Sequence, residues 1–100
     1  MASSLYSLGA LRYEEGDLEK AEPLLRQALQ IYTAAHGEKH TRVASVLHTL
    51  GRLLNDRGEL DEAEAALRSS LEIHRELLGE DDARVAATRA DLEAVLTNNR

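Results

Sequence analysis

The chain repeats itself at a spacing of 42 residues. Leu5, Leu8, Gly9, Leu11, Gly16, Leu18, Ala21, Glu22, Leu25, Arg26, Leu29, Ile31 and Gly37 recur as Leu47, Leu50, Gly51, Leu53, Gly58, Leu60, Ala63, Glu64, Leu67, Arg68, Leu71, Ile73 and Gly79. Aligning residues 1–42 with 43–84 also matches Ala2 with Ala44, Ser3 with Ser45, Glu38 with Glu80 and Arg42 with Arg84, so that 17 of 42 positions are identical. A fixed period in the range of roughly 20–50 residues marks stacked supersecondary units, none of which can bury its apolar face alone. Function therefore has to be sought on an array and not at one local site.

Each unit reads as a helical hairpin. Leu5, Leu8 and Leu11 lie at helical spacing between Ala2 and Glu15, and Leu18, Ala21, Leu24, Leu25, Ala28, Leu29, Ile31 and Tyr32 do so between Leu18 and Ala35. Glu15-Gly16-Asp17 separates the two stretches, with Gly16 free to take a positive φ and Asp17 placed to cap the second helix. Arg57-Gly58-Glu59 repeats the turn with a poorer cap. The second unit's helices are predicted over about 41–57 and 60–78, and a fifth helix over about 83–98 after Asp82, a further cap. Pro23, the one proline, falls inside the second helix, where it lacks the N–H that would bond the carbonyl of Glu19 and predicts a small kink.

Composition narrows the partners. The chain is 43% apolar with only three aromatics, Tyr6, Tyr13 and Tyr32, which predicts a core of Leu, Ala, Val and Ile between thin helical layers. A formal net charge of −6 argues against a nucleic-acid partner held through its phosphates. No apolar run reaches the roughly 18–20 residues of a membrane span and no signal segment opens the chain, so a soluble protein without a membrane partner is expected. Cysteine is absent, which removes disulfides and thiolate metal sites, and a cytoplasmic setting is the default.

These residues resemble a tetratricopeptide repeat array. In that family a large apolar residue is followed by Leu-Gly three and four positions on and by Ala twelve after the Gly, read here as Leu5, Leu8-Gly9, Ala21 and Leu47, Leu50-Gly51, Ala63. The 42-residue period exceeds the family's ordinary 34 and is similar to that of kinesin light chains and bacterial multidomain regulators. Gly37-Glu38-Lys39-His40-Thr41-Arg42-Val43-Ala44 echoes their linker, as Gly79-Glu80-Asp81-Asp82-Ala83-Arg84-Val85-Ala86 does more faintly, and Ala21-Glu22-Pro23-Leu24 also fits. The absence of their His-Pro prolines is the clearest departure. The resemblance implies an all-α, right-handed α-α superhelix of five helices: two full repeats, about 1–42 and 43–84, plus a C-terminal capping helix about 83–98, in one domain spanning 1–100. Met1-Ala2 aligns with Val43-Ala44, inside a helix, which suggests a fragment of a longer protein. Arg89 and Glu93 stand where Leu5, Leu47 and Gly9, Gly51 do, as suits a solvated last helix, although a truncated third repeat would read similarly.

The resemblance also implies a concave groove lined by the first helix of each repeat. Carried over by position, it presents Ser3, Tyr6, Ala10 and Tyr13, then Ser45, His48, Thr49, Arg52 and Asn55, then Asp91, Ala94 and Asn98. Tyr6, Tyr13, His48, Arg52 and Asn55 make the candidate peptide-contacting patch, because Tyr and Arg combine contact area with polar groups. The two tyrosines would equally serve to cover the open edge of the first repeat. The Asn-Asn pairs that grip a peptide backbone in kinesin-light-chain-type repeats are replaced by Tyr6-Ser7, His48-Thr49 and Ala90-Asp91, and the family's carboxylate-clamp set is missing.

Other constellations carry less. His36 and His40 are four apart but divided by Gly37, so they read as a linker pair and not as metal ligands. The carboxylates Glu14, Glu15, Asp17, Glu19, Glu59, Asp61, Glu62 and Glu64 gather at helix starts and turns, where the helix dipole favours them. No triad, phosphate loop or glycine fingerprint appears, so neither a catalytic site nor a cofactor is expected. The reading is a non-enzymatic interaction module that binds a protein or peptide. Its alternatives are a self-associating module that dimerises through the open face of the first repeat near Leu5, Leu8 and Tyr6, and a regulatory segment of a larger signalling or transcription protein.

Overall fold

The structure, a computed structural model, describes residues 2–99. Its helices are α1 (Ala2–Glu14), α2 (Leu18–His36), α3 (Thr41–Asp56), α4 (Leu60–Leu78) and α5 (Ala83–Asn98), and no strand occurs among the described residues. Four glycines punctuate them at every twenty-first residue: Gly16, Gly37, Gly58 and Gly79 all have φ between 80° and 87°. After α1 the N–H of Asp17 reaches back to the carbonyl of Arg12, and after α3 that of Glu59 reaches Leu54, closing each helix end with a six-to-one bond. An L-residue pays sterically for such a φ, which is why glycine recurs there.

The starts of the helices differ in quality. Asp17 accepts from the N–H of Lys20 and Asp82 from that of Arg84, whereas Glu59 makes no side-chain cap. His40 also caps: its Nδ1 accepts from the N–H of Arg42 at 3.1 Å, at the position Asp82 occupies one period later. The α2 helix runs through Pro23 without interruption.

Packing explains the repeated residues. Within each hairpin the second helix presses a leucine against a glycine of the first. A Cβ built on Gly51 would lie 2.6 Å from Leu67 Cγ, and one on Gly9 would lie 3.0 Å from Leu25 Cγ. The residue that needs the glycine is thus the leucine four positions after the signature alanine; Ala21 and Ala63 are themselves fully buried. Between hairpins, Val46, Leu50, Leu53 and Leu54 of α3 are buried, as are Val85, Leu92 and Val95 of α5. The equivalents on α1 and α2 face outward: Leu8, Leu11 and Ile31 are 40%, 48% and 39% exposed, against 2%, 0% and 8% for Leu50, Leu53 and Ile73. Arg89 and Glu93 lie on the solvated side of α5, Arg89 bonded to Glu80.

The stack is curved. The backbones of α1 and α3, and of α3 and α5, approach one another, while those of α2 and α4 do not. The odd-numbered helices therefore line the inner side of an all-α superhelix.

Candidate functional site

Among the described residues four side-chain hydrogen bonds cross the inner face, and all four join residues 43 apart. The Tyr6 hydroxyl meets Thr49 Oγ1 at 3.1 Å, the Tyr13 hydroxyl donates to Asp56 at 2.7 Å, His48 Nε2 meets Asp91, and the Asn98 amide donates to Asn55 Oδ1 at 3.1 Å. Because 6 and 48, and 13 and 55, are the same positions of the 42-residue period, these are two rungs made twice. Each rung links one position of a first helix to the next position of the following first helix. Their chemistry changes between copies, Tyr-Thr becoming His-Asp and Tyr-Asp becoming Asn-Asn, while their placement is kept.

Every residue of the expected patch lies on this face, and four of the five are rung members. The fifth, Arg52, stands between rungs: its guanidinium lies 5.4 Å from the centre of the Tyr13 ring and its Nε 3.7 Å from Asp91. A depression of about 190 Å³ collects Tyr13, Arg52, Asn55, Asp56 and Asp91. Tyr6 lines a separate one of about 270 Å³ at the α2–α3 end of the face, together with Tyr32, Thr41, Arg42, Ser45 and Arg84. The patch is thus divided into two hollows with rungs between them, and both phenols reach toward α3. Partial burial, the hydrogen bond to Asp56 and the charge of that carboxylate raise the Tyr13 phenol to about 12, against a smaller lowering by Arg52.

Sequence reasoning missed Thr49 and Asp56 as the hydrogen-bond partners of the tyrosines. The only available signal was the constant offset of 43, which is visible in the sequence once the helices are known to stack in register. It also missed an apolar hollow of about 340 Å³ on the outer side, lined by Leu29, Val43, Leu47 and Ile73 with Lys39 and Glu72.

Three buried polar side chains, Ser70, His74 and Thr88, belong to the packing. Ser70 donates to the carbonyl of Ala44 at 2.7 Å. Thr88 donates to the carbonyl of Arg84 at 2.7 Å and meets His74 Nδ1 at 3.3 Å, while His74 Nε2 is buried without a partner. Burial first, then the electrostatic influence of His48 and of the Arg84 guanidinium, holds the His74 imidazole below its ordinary value, with Asp82 acting against them. His36 and His40 stack with ring centroids 4.3 Å apart across the Gly37 turn. Among the described residues no three His, Asp or Glu side chains gather as a metal site, and no helix is long and apolar enough to cross a membrane.

Comparison with known proteins fits this geometry. The solved structure of BtubC (BKLC) from P. vanneervenii is similar with a TM-score of 0.91 and 24% sequence identity, over 98% of this chain and 39% of that one. That likeness is one of fold, and the chain spans well under half of that protein's length. No curated protein sequence matches the chain. The tetratricopeptide repeat profile matches residues 1–75 and again 43–97, in overlapping passes that start one period apart. The matched residues run from α1 into the last turn of α5, and the chain belongs to the tetratricopeptide repeat family.

Proposed function

We propose that the inner face of α1, α3 and α5 is a protein-binding groove that holds a segment of a partner against Tyr6, Tyr13, His48, Arg52 and Asn55. Tetratricopeptide repeats in general mediate protein–protein interaction; the finer reading rests on where the two copies differ. Their packing residues recur, while the inner positions change: Tyr6 against His48, Ala10 against Arg52, Tyr13 against Asn55. Holding the stack accounts for the rung positions, but not for Arg52, which takes the place of Ala10 and belongs to no rung. The hollow at Tyr13 and Arg52 supplies an aromatic face, a cation and two carboxylates, a combination suited to a polar peptide and not to a reaction.

The test is a selection from a random peptide library against the full chain, followed by amide and side-chain NMR mapping of the selected peptides. Mapping to the five named residues, with weakening of about tenfold or more by Arg52→Ala, is the expected result. Peptides that map to the outer hollow at Leu29 and Ile73 would overturn it.

A second reading is favoured by the outward face of the first hairpin. Leu8, Leu11 and Ile31 stand exposed where their period mates are buried, so that a second copy laid there would cover the same surface that stacking covers in the second repeat. Sedimentation across a concentration series decides it: a dimer abolished by Leu11→Glu supports self-association, and a monomer throughout removes it.

A further inference from the structure

The hollow at the α2–α3 end of the inner face has a chemistry opposite to that of the chain. In a protein of net charge −6, its lining of Tyr6, Tyr32, Thr41, Arg42, Ser45 and Arg84 contains two guanidinium groups and no carboxylate. The two arginines occupy one position of the 42-residue period, the second residue of α3 and of α5, yet they converge on one hollow of about 270 Å³. Arg42 makes no ion pair among the described residues; its guanidinium lies 5.8 Å from the centre of the Tyr32 ring. Arg84 is held by Asp82 through Nε at 3.1 Å and Nη2 at 3.4 Å, which leaves Nη1 without a carboxylate partner. Thr41 and Ser45 add hydroxyl groups, and Thr41 begins α3, whose N-terminal dipole end favours an anion. The other hollow, by contrast, is lined by the carboxylates of Asp56 and Asp91 as well as by Arg52.

We propose that this hollow is a binding site for a dianionic phosphomonoester, specifically a phosphorylated side chain of a segment lying along the inner face. Guanidinium groups donate paired N–H bonds that match the oxygens of a phosphate, and two arginines with two hydroxyls offer more donors than a carboxylate can accept. The volume leaves room for the side chain that carries the phosphate. The two hollows also give the groove a direction: the phosphate sits at the α2–α3 end, and groups that pair with Asp56 and Asp91 sit at the α3–α4 end. Identifying the carrier as a protein segment rests on the groove reading above, whereas recognition of the phosphate group does not.

The experiment titrates the full chain, at constant ionic strength, with inorganic phosphate, an N-acetyl phosphoserine amide and an N-acetyl glutamate amide, reading the Nε–H signals of Arg42 and Arg84 and the amides of Thr41 and Ser45. Saturable shifts confined to these groups are expected, with the phosphoserine compound bound about tenfold more tightly than the glutamate compound. Inorganic phosphate that binds as tightly as phosphoserine would assign the site to the free ion and overturn the side-chain carrier. Arg42→Gln and Arg84→Gln should each weaken binding about fivefold or more, while Arg52→Gln leaves it unchanged. Linear, unsaturated shifts, equal binding of the glutamate compound, or unchanged binding in both arginine variants at parental melting temperature would each refute the site. Loss of peptide selection with phosphoserine binding intact would strike the groove reading alone.

Discussion

Replacing Gly51 with alanine tests the close helix contact on which the second hairpin depends. The new Cβ would sit 2.6 Å from Leu67 Cγ and 2.8 Å from its Cδ2, whereas carbon atoms pack at about 3.5–4.0 Å. Roughly 1 Å must therefore open, by separation of α3 and α4 or by a shift of the fully buried Leu67 toward the hollow it borders. Overpacking of this kind costs about 1–3 kcal/mol, and the severity of the clash points to about 3. Alanine in place of glycine returns about 1 kcal/mol of helix propensity. The net loss is about 2 kcal/mol, or a fall in melting temperature of roughly 8–15 °C for a domain of this size.

Gly9→Ala supplies the control. Its Cβ would lie 3.0 Å from Leu25 and 3.2 Å from Leu24, and α1 has no helix on its outer side to stop it moving away. There the strain of about 1 kcal/mol and the propensity gain of about 1 kcal/mol nearly cancel. Thermal and urea unfolding of both variants gives the comparison. A double-mutant cycle with Leu67→Ala, which alone should cost about 2–5 kcal/mol, should then recover at least about 1 kcal/mol of the Gly51→Ala loss. A Gly51→Ala protein that melts at or above the parent, or strict additivity in the cycle, would refute the contact as the reason for this glycine.

Four other perturbations follow from the same geometry. The Tyr13 phenol ionises at about 12 in the folded chain against an ordinary 10, so stability is intact below pH 10 and falls as pH rises from 10 towards 12; phenolate absorbance should show this shift and Asp56→Asn should reduce it. The His74 imidazole is held below 6.5, so the unfolded chain takes up the proton first and stability falls as pH drops below about 6.5; His74→Phe should flatten that slope in acid-range unfolding curves. His40→Asp, which installs the cap that Asp82 provides one period later, should raise stability by about 0.5–1 kcal/mol in urea unfolding. Tyr6→His with Thr49→Asp transplants the His48–Asp91 rung onto the first repeat, and the double variant should unfold at higher urea than the two single losses predict, with a coupling of about 0.5 kcal/mol or more.

The sequence carried the architecture because packing residues must recur wherever the same two helices meet. Leu25 and Leu67 each press on a glycine, and Gly16, Gly37, Gly58 and Gly79 each end a helix, so both constraints print the period directly. What the sequence hid were interactions whose identity is free to vary. His40 was legible as a linker residue but not as a cap, because histidine does not rank among the preferred N-cap residues, although the N–H it accepts from is only two residues on, at Arg42. The inner face was legible as a face, from Tyr6 to Asn55, yet not as pairs, since the second member of each rung sits on another repeat and one position out of phase.

Those rungs bear on what the differences between copies mean. A change at Tyr13 alters the inner face, and it also leaves Asp56 without its donor; a change at Asn55 leaves the Asn98 amide without its acceptor. A rung position therefore cannot change without unpairing a residue on the neighbouring helix. Arg52 escapes this constraint. It belongs to no rung, holds Asp91 only at 3.7 Å, and replaces an alanine of the first copy, so it is the inner position whose substitution should change recognition with least effect on stacking. Arg42 and Arg84 stand outside the rungs in the same way, at the other end of the face. Arg52 and Arg42 thus stand apart from the tyrosines and amides beside them, which are held in place by the stack they help to build.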